Sequence, residues 1–320
     1  MDAKTYVRRA VWPLLFLGAL VAALPAVGAS RIDRELALEP GGQVVLDTAG
    51  SVSVVGRTRP GVRVVVTANE DIESKYDVEF VEEPGRVSVK IRKRAAFRWF
   101  GWIRGSGLRV EVDTSGGAID VADVRGELRL ATSGGAIRGA NLAGDVSAST
   151  SGGAISLEGI GGDVRAESSG GGIRIEGVAG TVDADTSGGG IVIREAQGDV
   201  WAGSSGGGIE VLGAGGRVDA DTSGGPVRVA FVLGNASGGS LASSGGGVTV
   251  SLDAEIGLEI DAASSGGGVV ADDPIRVQGE LSRSRLRGTL GSGGELLRLR
   301  SSGGGIRIEP ASASGGAKRD

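Results

Sequence analysis

Ser151-Gly152-Gly153-Ala154-Ile155-Ser156-Leu157-Glu158-Gly159-Ile160-Gly161-Gly162-Asp163-Val164-Arg165-Ala166-Glu167-Ser168 is one unit of a repeat, and the repeat decides the fold. Ser-Gly-Gly returns at Ser115, Ser133, Ser151, Ser169, Ser187, Ser205 and Ser223, always 18 residues apart. It continues at Ser244 and Ser265 after intervals of 21, and at Ser302 after 37. A fixed period of this length marks a repeat architecture. Inside the unit, Ile155-Ser156-Leu157 and Val164-Arg165-Ala166 alternate apolar and polar, which is the period of a strand with one face buried. A helix needs contacts three and four residues apart and tolerates far less Gly. Each unit therefore holds two short strands joined by two Gly-bearing corners, with no room for a helical crossover. The expected fold is all-β: a single-chain parallel β-solenoid, a right-handed β-helix with 18-residue coils.

Aligned units give columns. One reads Ile119, Ile137, Ile155, Ile173, Ile191, Ile209, Val227; another reads Val124, Leu142, Ile160, Val178, Ala196, Ala214, Val232. The second strand contributes Leu128, Val146, Val164, Val182, Val200, Val218, and two residues on Leu130, Ala148, Ala166, Ala184, Ala202, Ala220. Stacked aliphatic columns make the interior, with small Ala leaving room for larger side chains opposite. Gly126, Gly144, Gly162, Gly180, Gly198 and Gly216 fill a turn column. The corner glycines are expected to supply backbone angles that a Cβ forbids. The hydroxyl column Thr132, Thr150, Ser168, Thr186, Ser204, Thr222 has two readings. One is a ladder bonding the corner backbone; the other is a flat, ice-binding type of array. Free exchange of Thr for Ser and the adjoining Gly pair favour the ladder.

Working outward, residues 30–114 lack the clean period but alternate at 44–46, 52–55, 62–67, 78–81 and 87–91, and read as irregular β coils with a cap. Residues 115–223 are the regular repeats, 224–310 are longer coils and a second cap, and 311–320 form a disordered tail. Lys4, Arg8 and Arg9 precede an apolar stretch from 10 to 24 and small residues at Val27-Gly28-Ala29, so residues 1–29 read as a signal peptide cut after Ala29. An uncleaved anchor is the alternative. Cleavage removes three basic residues and one acidic, leaving 31 and 38 and a net charge of −7. Export places the chain in the periplasm or at the cell surface.

Composition narrows the chemistry. The 320 residues include 61 Gly, no Cys and no His. That excludes disulfides, thiol nucleophiles, imidazole bases and the commonest zinc ligands. Net negative charge argues against nucleic acid, and no cofactor is expected. Gly-rich runs such as Ser169-Gly170-Gly171-Gly172 lack the following helix that a phosphate loop requires. The pairs Asp183/Asp185 and Asp219/Asp221 fall in matching columns two coils apart and suggest Ca²⁺ or glycosidic chemistry, yet Trp201 and Gly203 occupy the coil between them. The preferred reading is a solvated outward face. The column after the Ile, Asp120, Arg138, Ser156, Arg174, Val192, Glu210, Arg228, is not that of a calcium-loaded repeat.

The one unusual stretch is 86–104, where Arg86, Lys90, Arg92, Lys93, Arg94, Arg98 and Arg104 occur with no acidic residue. Phe97, Trp99, Phe100, Trp102 and Ile103 are interleaved with the later charges. Guanidinium groups with indole rings suit an anionic interface. Arg92, Lys93, Arg94, Arg98, Trp99, Phe100, Trp102 and Arg104 are thus a candidate envelope-binding loop, the other reading being an aromatic cap on the solenoid end.

Thr48-Ala49-Gly50-Ser51-Val52, the Thr-Ser-Gly-Gly-x-Ile blocks, and Gly293-Gly294-Glu295 followed by Ser301-Ser302-Gly303-Gly304-Gly305-Ile306 resemble the bacterial putative-adhesin, or toastrack-type, family over nearly all of 36–309. The resemblance implies an exported envelope protein with a β-solenoid fold and no catalytic motif. The expected function is a non-enzymatic, adhesin-like interaction or scaffold module of the cell envelope. Its partner would be an envelope component, whether anionic lipid, polysaccharide or protein, with peripheral membrane contact. A polysaccharide lyase or hydrolase and a head-to-tail polymer are the alternatives.

Overall fold

The computed structural model describes residues 30–36, 42–48, 52–55, 62–68, 76–83, 86–93, 99–104, 109–253, 255–272 and 277–311. Every regular element among them is a β-strand, so the all-β, parallel solenoid read from the repeat is the fold. The chain divides into two compact units, Met1–Gly135 and Ala136–Asp320.

In the second unit the 18-residue period is the stacking register. Val146–Thr150 pairs in parallel with Val164–Ser168, residue for residue at that offset, and Val164–Ser168 pairs likewise with Val182–Thr186. Val200–Ser204 and Val218–Thr222 extend this first face. Ile137–Leu142, Ile155–Ile160, Ile173–Val178, Ile191–Ala196 and Ile209–Ala214 build the second. Residues of one column meet their own kind between the faces: Ile155, Ile173 and Ile191 are each at most 2% exposed, as are Val164, Val182 and Ala184. The repeated side chains thus form continuous aliphatic stacks, and burial of each Val, Leu or Ile contributes about 1.5–3 kcal/mol.

One inward position departs from the aligned columns. Val232 was the expected successor of Ala214, but a register shift after Leu212 pairs Ala214 with Phe231. Phe231 is 5% exposed and Val232 is 43% exposed. The insertion that lengthens the next coil to 21 residues begins here. Its turn is held by Asn235, whose buried amide donates to the carbonyls of Ala214 at 2.8 Å and Gly216 at 3.0 Å.

The corner glycines need space, not unusual angles. No corner glycine of the Ser-Gly-Gly blocks from 116 to 225 has a left-handed φ. At Gly171, however, a Cβ would overlap the backbone of Gly153 and Ala154 in the preceding coil. Coils touch backbone to backbone at this corner, which leaves no volume for a side chain. The left-handed column lies elsewhere, at Asn141 (φ 55), Gly159 (67), Gly177 (68), Glu195 (54) and Gly213 (75), inside the strands of the second face. There Gly is selected for conformation.

The later coils do not stack in chain order. Gly239–Ser243 pairs with Leu296–Ser301, and Leu296–Ser301 pairs on its other side with Leu258–Ser264. On the second face Ile306–Pro310 lies between Val248–Leu252 and Val269–Ala271. The last coil is inserted between the two before it. The intervening Val277–Leu281 and Arg285–Leu290 form an antiparallel hairpin that pairs with Leu258–Ser264 and closes the edge of the first face. The edge of that face is then the five-residue strand Val277–Leu281, and a short edge strand is a poor template for unwanted pairing.

The unit Met1–Gly135 is built the same way in reverse. Gln43–Thr48 lies between Arg86–Lys93 and Arg109–Thr114, parallel to both, and Leu128–Thr132 pairs beyond Arg109–Thr114. Val52–Val55 pairs with Ile119–Ala122. Tyr76–Glu83 caps the edge as an antiparallel partner of Arg86–Lys93. Ser30–Leu36, Val62–Ala68 and Trp99–Arg104 form a separate antiparallel sheet of three strands.

Candidate functional site

The described parts of the Arg- and Trp-rich stretch are strand, not loop. Arg92 and Lys93 end Arg86–Lys93, opposite Asp77 and Tyr76 of the edge hairpin. Trp99, Phe100, Trp102 and Arg104 belong to Trp99–Arg104, the outer strand of the three-stranded sheet, opposite Ala68, Thr67, Val65 and Arg63. Arg94 and Arg98 lie outside the described residues, as do residues 1–29 and 312–320. The candidate residues are therefore divided between two strands of two different sheets within one unit.

The hydroxyl column is resolved in favour of the ladder. Thr132, Thr150, Ser168, Thr186, Ser204 and Thr222 are all buried. In the second unit Ser168 Oγ donates to the Gly153 carbonyl at 3.0 Å and accepts the Gly171 N–H at 3.0 Å. Thr186 bonds Gly171 and Gly189 in the same way, at 2.8 and 3.3 Å, and Ser204 bonds Gly189 and Gly207 at 2.8 and 3.0 Å. Each hydroxyl staples its own corner to the one below, satisfying two backbone groups of the part-buried corner. Thr186→Val keeps the shape and orphans both groups. It should cost about 2 kcal/mol or more, whereas Thr186→Ser should cost about 1 kcal/mol for a lost methyl. Urea unfolding of the two variants measures the difference, and equal midpoints would refute the staple.

A second staple was missed in the sequence. Asp163 accepts from the Thr181 backbone N–H at 2.7 Å and from its hydroxyl at 2.9 Å, and Asp199 accepts from the Arg217 N–H at 2.8 Å. These two bonds hold the Asp163 carboxyl below its ordinary value, the backbone bond contributing most. The signal was present in the sequence: Asp145, Asp163 and Asp199 share one column next to the turn Gly.

The outward columns are charged, and most charges are spent on neighbours. Arg165 bonds Glu167 at 2.6 Å and also Asp183, and Arg217 bonds Asp219 at 3.1 Å. On the second face Arg174 pairs with Glu176, while Arg194 and Arg228 flank Glu210. Exposed pairs of this kind contribute little stability. The pairs Asp183/Asp185 and Asp219/Asp221 stand on the same outward face, with Trp201 and Gly203 in register between them. Asp185 is held above the ordinary carboxylate value, by desolvation first and then by the negative charges of Asp183 and Glu167. Among the described residues no group of three or more acidic side chains is arranged to hold a metal ion.

No family model matches the chain, and no curated protein matches it. Several solved structures do. One, a putative adhesin from Parabacteroides distasonis, is 10% identical, with 87% of this chain and 97% of that one covered at a TM-score of 0.44. A putative adhesin from Bacteroides fragilis is 12% identical over 87% of this chain and 97% of its own, at a TM-score of 0.36. A third structure, named a putative lipid binding protein and also from Parabacteroides distasonis, is 14% identical over 87% and 96%, at a TM-score of 0.41.

Proposed function

We propose that the protein is a non-enzymatic, exported interaction module of the cell envelope, docked through the basic and aromatic residues between 92 and 104. The observation that carries this reading is the way the fold uses its side chains. Polar groups at the corners are consumed in stapling one coil to the next. Outward residues form flat columns whose charges pair along the face. Such a surface suits recognition over an area rather than convergence on one bond. In the other unit Trp99, Phe100, Trp102 and Arg104 stand on an edge strand of a small sheet, paired to Val62–Ala68 and packed near Val52–Val55. Two indoles and one guanidinium on a single short strand fit a negatively charged interface.

The test is co-sedimentation with anionic vesicles and with cell-wall sacculi, at low and high salt. Pelleting with vesicles should fall several-fold on raising the salt. It should be lost when Trp99, Trp102 and Arg104 are replaced together by Ser. Unchanged pelleting of that variant would refute docking through this strand.

A further inference from the structure

We propose that the outward face around Trp201 is a docking surface for an arginine-bearing segment of a basic protein partner. This goes beyond envelope docking and uses residues of the other unit, so either idea can fail alone.

Trp201 is the second residue of Val200–Ser204, points away from the core, and is 43% exposed. The rest of its column is polar or charged. Ser147, Arg165 and Asp183 precede it, and Asp219, Ser240 and Arg298 follow in the stacking order. A large indole in that position adds nothing to the interior. The register sets Asp183 and Asp219 directly on either side of it, one strand spacing of about 4.8 Å away. Two residues along, Asp185 and Asp221 flank Gly203 in the same manner. Gly203 has no side chain, and the Asp185 carboxylate lies over it, where a Cβ would collide with its Oδ1.

Charge selects the occupant. Glu167, Asp183, Asp185, Asp219 and Asp221 are five carboxylates on this patch, and Arg165 and Arg217 are the guanidiniums that answer them, through Glu167, Asp183 and Asp219. Three negative charges remain in excess. The Asp185 carboxyl is held above its ordinary value by desolvation first, and then by the neighbouring charges of Asp183 and Glu167. Indole is the strongest side-chain platform for a cation. A guanidinium can lie flat on it while its edge donates two bonds to an adjacent carboxylate, which an ammonium cannot do. An amino-sugar polymer would also bring positive charge, but a glycan needs successive stacking platforms, and no second aromatic side chain follows Trp201 along its column among the described residues.

Calorimetric titration of the full chain with hexa-arginine tests this, with a glucosamine hexamer as the competing ligand. Hexa-arginine should bind. Trp201→Ala should weaken it about fivefold, the effect of one exposed cation–π contact. The double change Asp185→Asn with Asp221→Asn should weaken it at least as much. Glu158→Gln with Glu176→Gln removes the same formal charge from the opposite face and should leave binding unaltered. Thermal melts of all variants should stay within a few degrees of the parent, because every changed side chain points outward. The proposal is overturned if hexa-arginine does not bind, or if Trp201→Ala binds as the parent does. It is equally overturned if the opposite-face pair weakens binding as strongly, or if the glucosamine hexamer binds more tightly than the peptide.

Discussion

Gly171→Val should destabilise the protein by about 3 kcal/mol or more, near the upper end of what overpacking costs, and lower the thermal midpoint by roughly 10 °C. A side chain there has no direction of escape. Its first atom falls on the Gly153 carbonyl and on the backbone leading to Ala154. Those atoms are themselves fixed, since Ser168 Oγ donates to the Gly153 carbonyl and also holds the Gly171 N–H. To admit a Cβ, two coils must separate at this corner, which breaks the staple and opens the aliphatic columns beside it. Gly116 is the control, because a Cβ there would meet nothing within 4 Å. Gly116→Ala should leave the midpoint within a few degrees. The same shift in both variants would show that the corner glycines are not there for close coil contact.

These residues also show what the sequence could and could not reveal. The period of 18 was legible because coils stack in register, so the interior writes the same residue type into every unit. The hydroxyl ladder was legible because a buried donor and acceptor must recur wherever the corner recurs. The reason for the glycines was not legible, since absence of a side chain looks the same whether space or conformation demands it. Asn141 and Glu195, in a left-handed column shared with Gly159, Gly177 and Gly213, separate the two causes. The exchange of Phe231 for Val232 was hidden because one residue of slip leaves an apolar residue at either position. The Arg- and Trp-rich stretch is unusual in composition. Its division between two sheets was invisible, because pairing across the sequence separation from Val62–Ala68 to Trp99–Arg104 leaves no local periodic mark. Trp201 was visible as an interruption between acidic pairs. Its place in one column with Asp183 and Asp219 was legible from the 18-residue period, and the strand pairing has the same register.

The insertion of the last coil leads to the largest expected effect. A chain cut after Gly291 should lose ordered structure in residues 239–290 while the coils from Val164–Ser168 to Val218–Thr222 keep theirs. The cut removes Leu297, Leu299, Ile306 and Ile308, each at most 1% exposed. At about 1.5–3 kcal/mol apiece, the gross loss is on the order of 6–12 kcal/mol, comparable with the whole stability of an ordinary domain. It also removes Arg300, whose guanidinium donates to the Asp261 carboxylate at 2.8 Å and to its backbone carbonyl at 2.7 Å. Asp261 is 7% exposed. Its carboxyl is held below the ordinary value, first by the bond from Arg300 and more weakly by Arg287. With Arg300 gone, the buried charge keeps the 3.3 Å contact to Arg287, and a buried carboxylate deprived of its main partner is strongly destabilising. In a stack held by nearest-neighbour contacts the damage stays local, so hydrogen exchange read strand by strand is the measurement. Protection should vanish in Gly239–Ser243 and Leu258–Ser264 and persist in Val182–Thr186. If Leu258–Ser264 stayed protected, that coil would have closed directly onto Gly239–Ser243. The inserted coil would then be an interchangeable layer and not the piece that fastens the end of the stack.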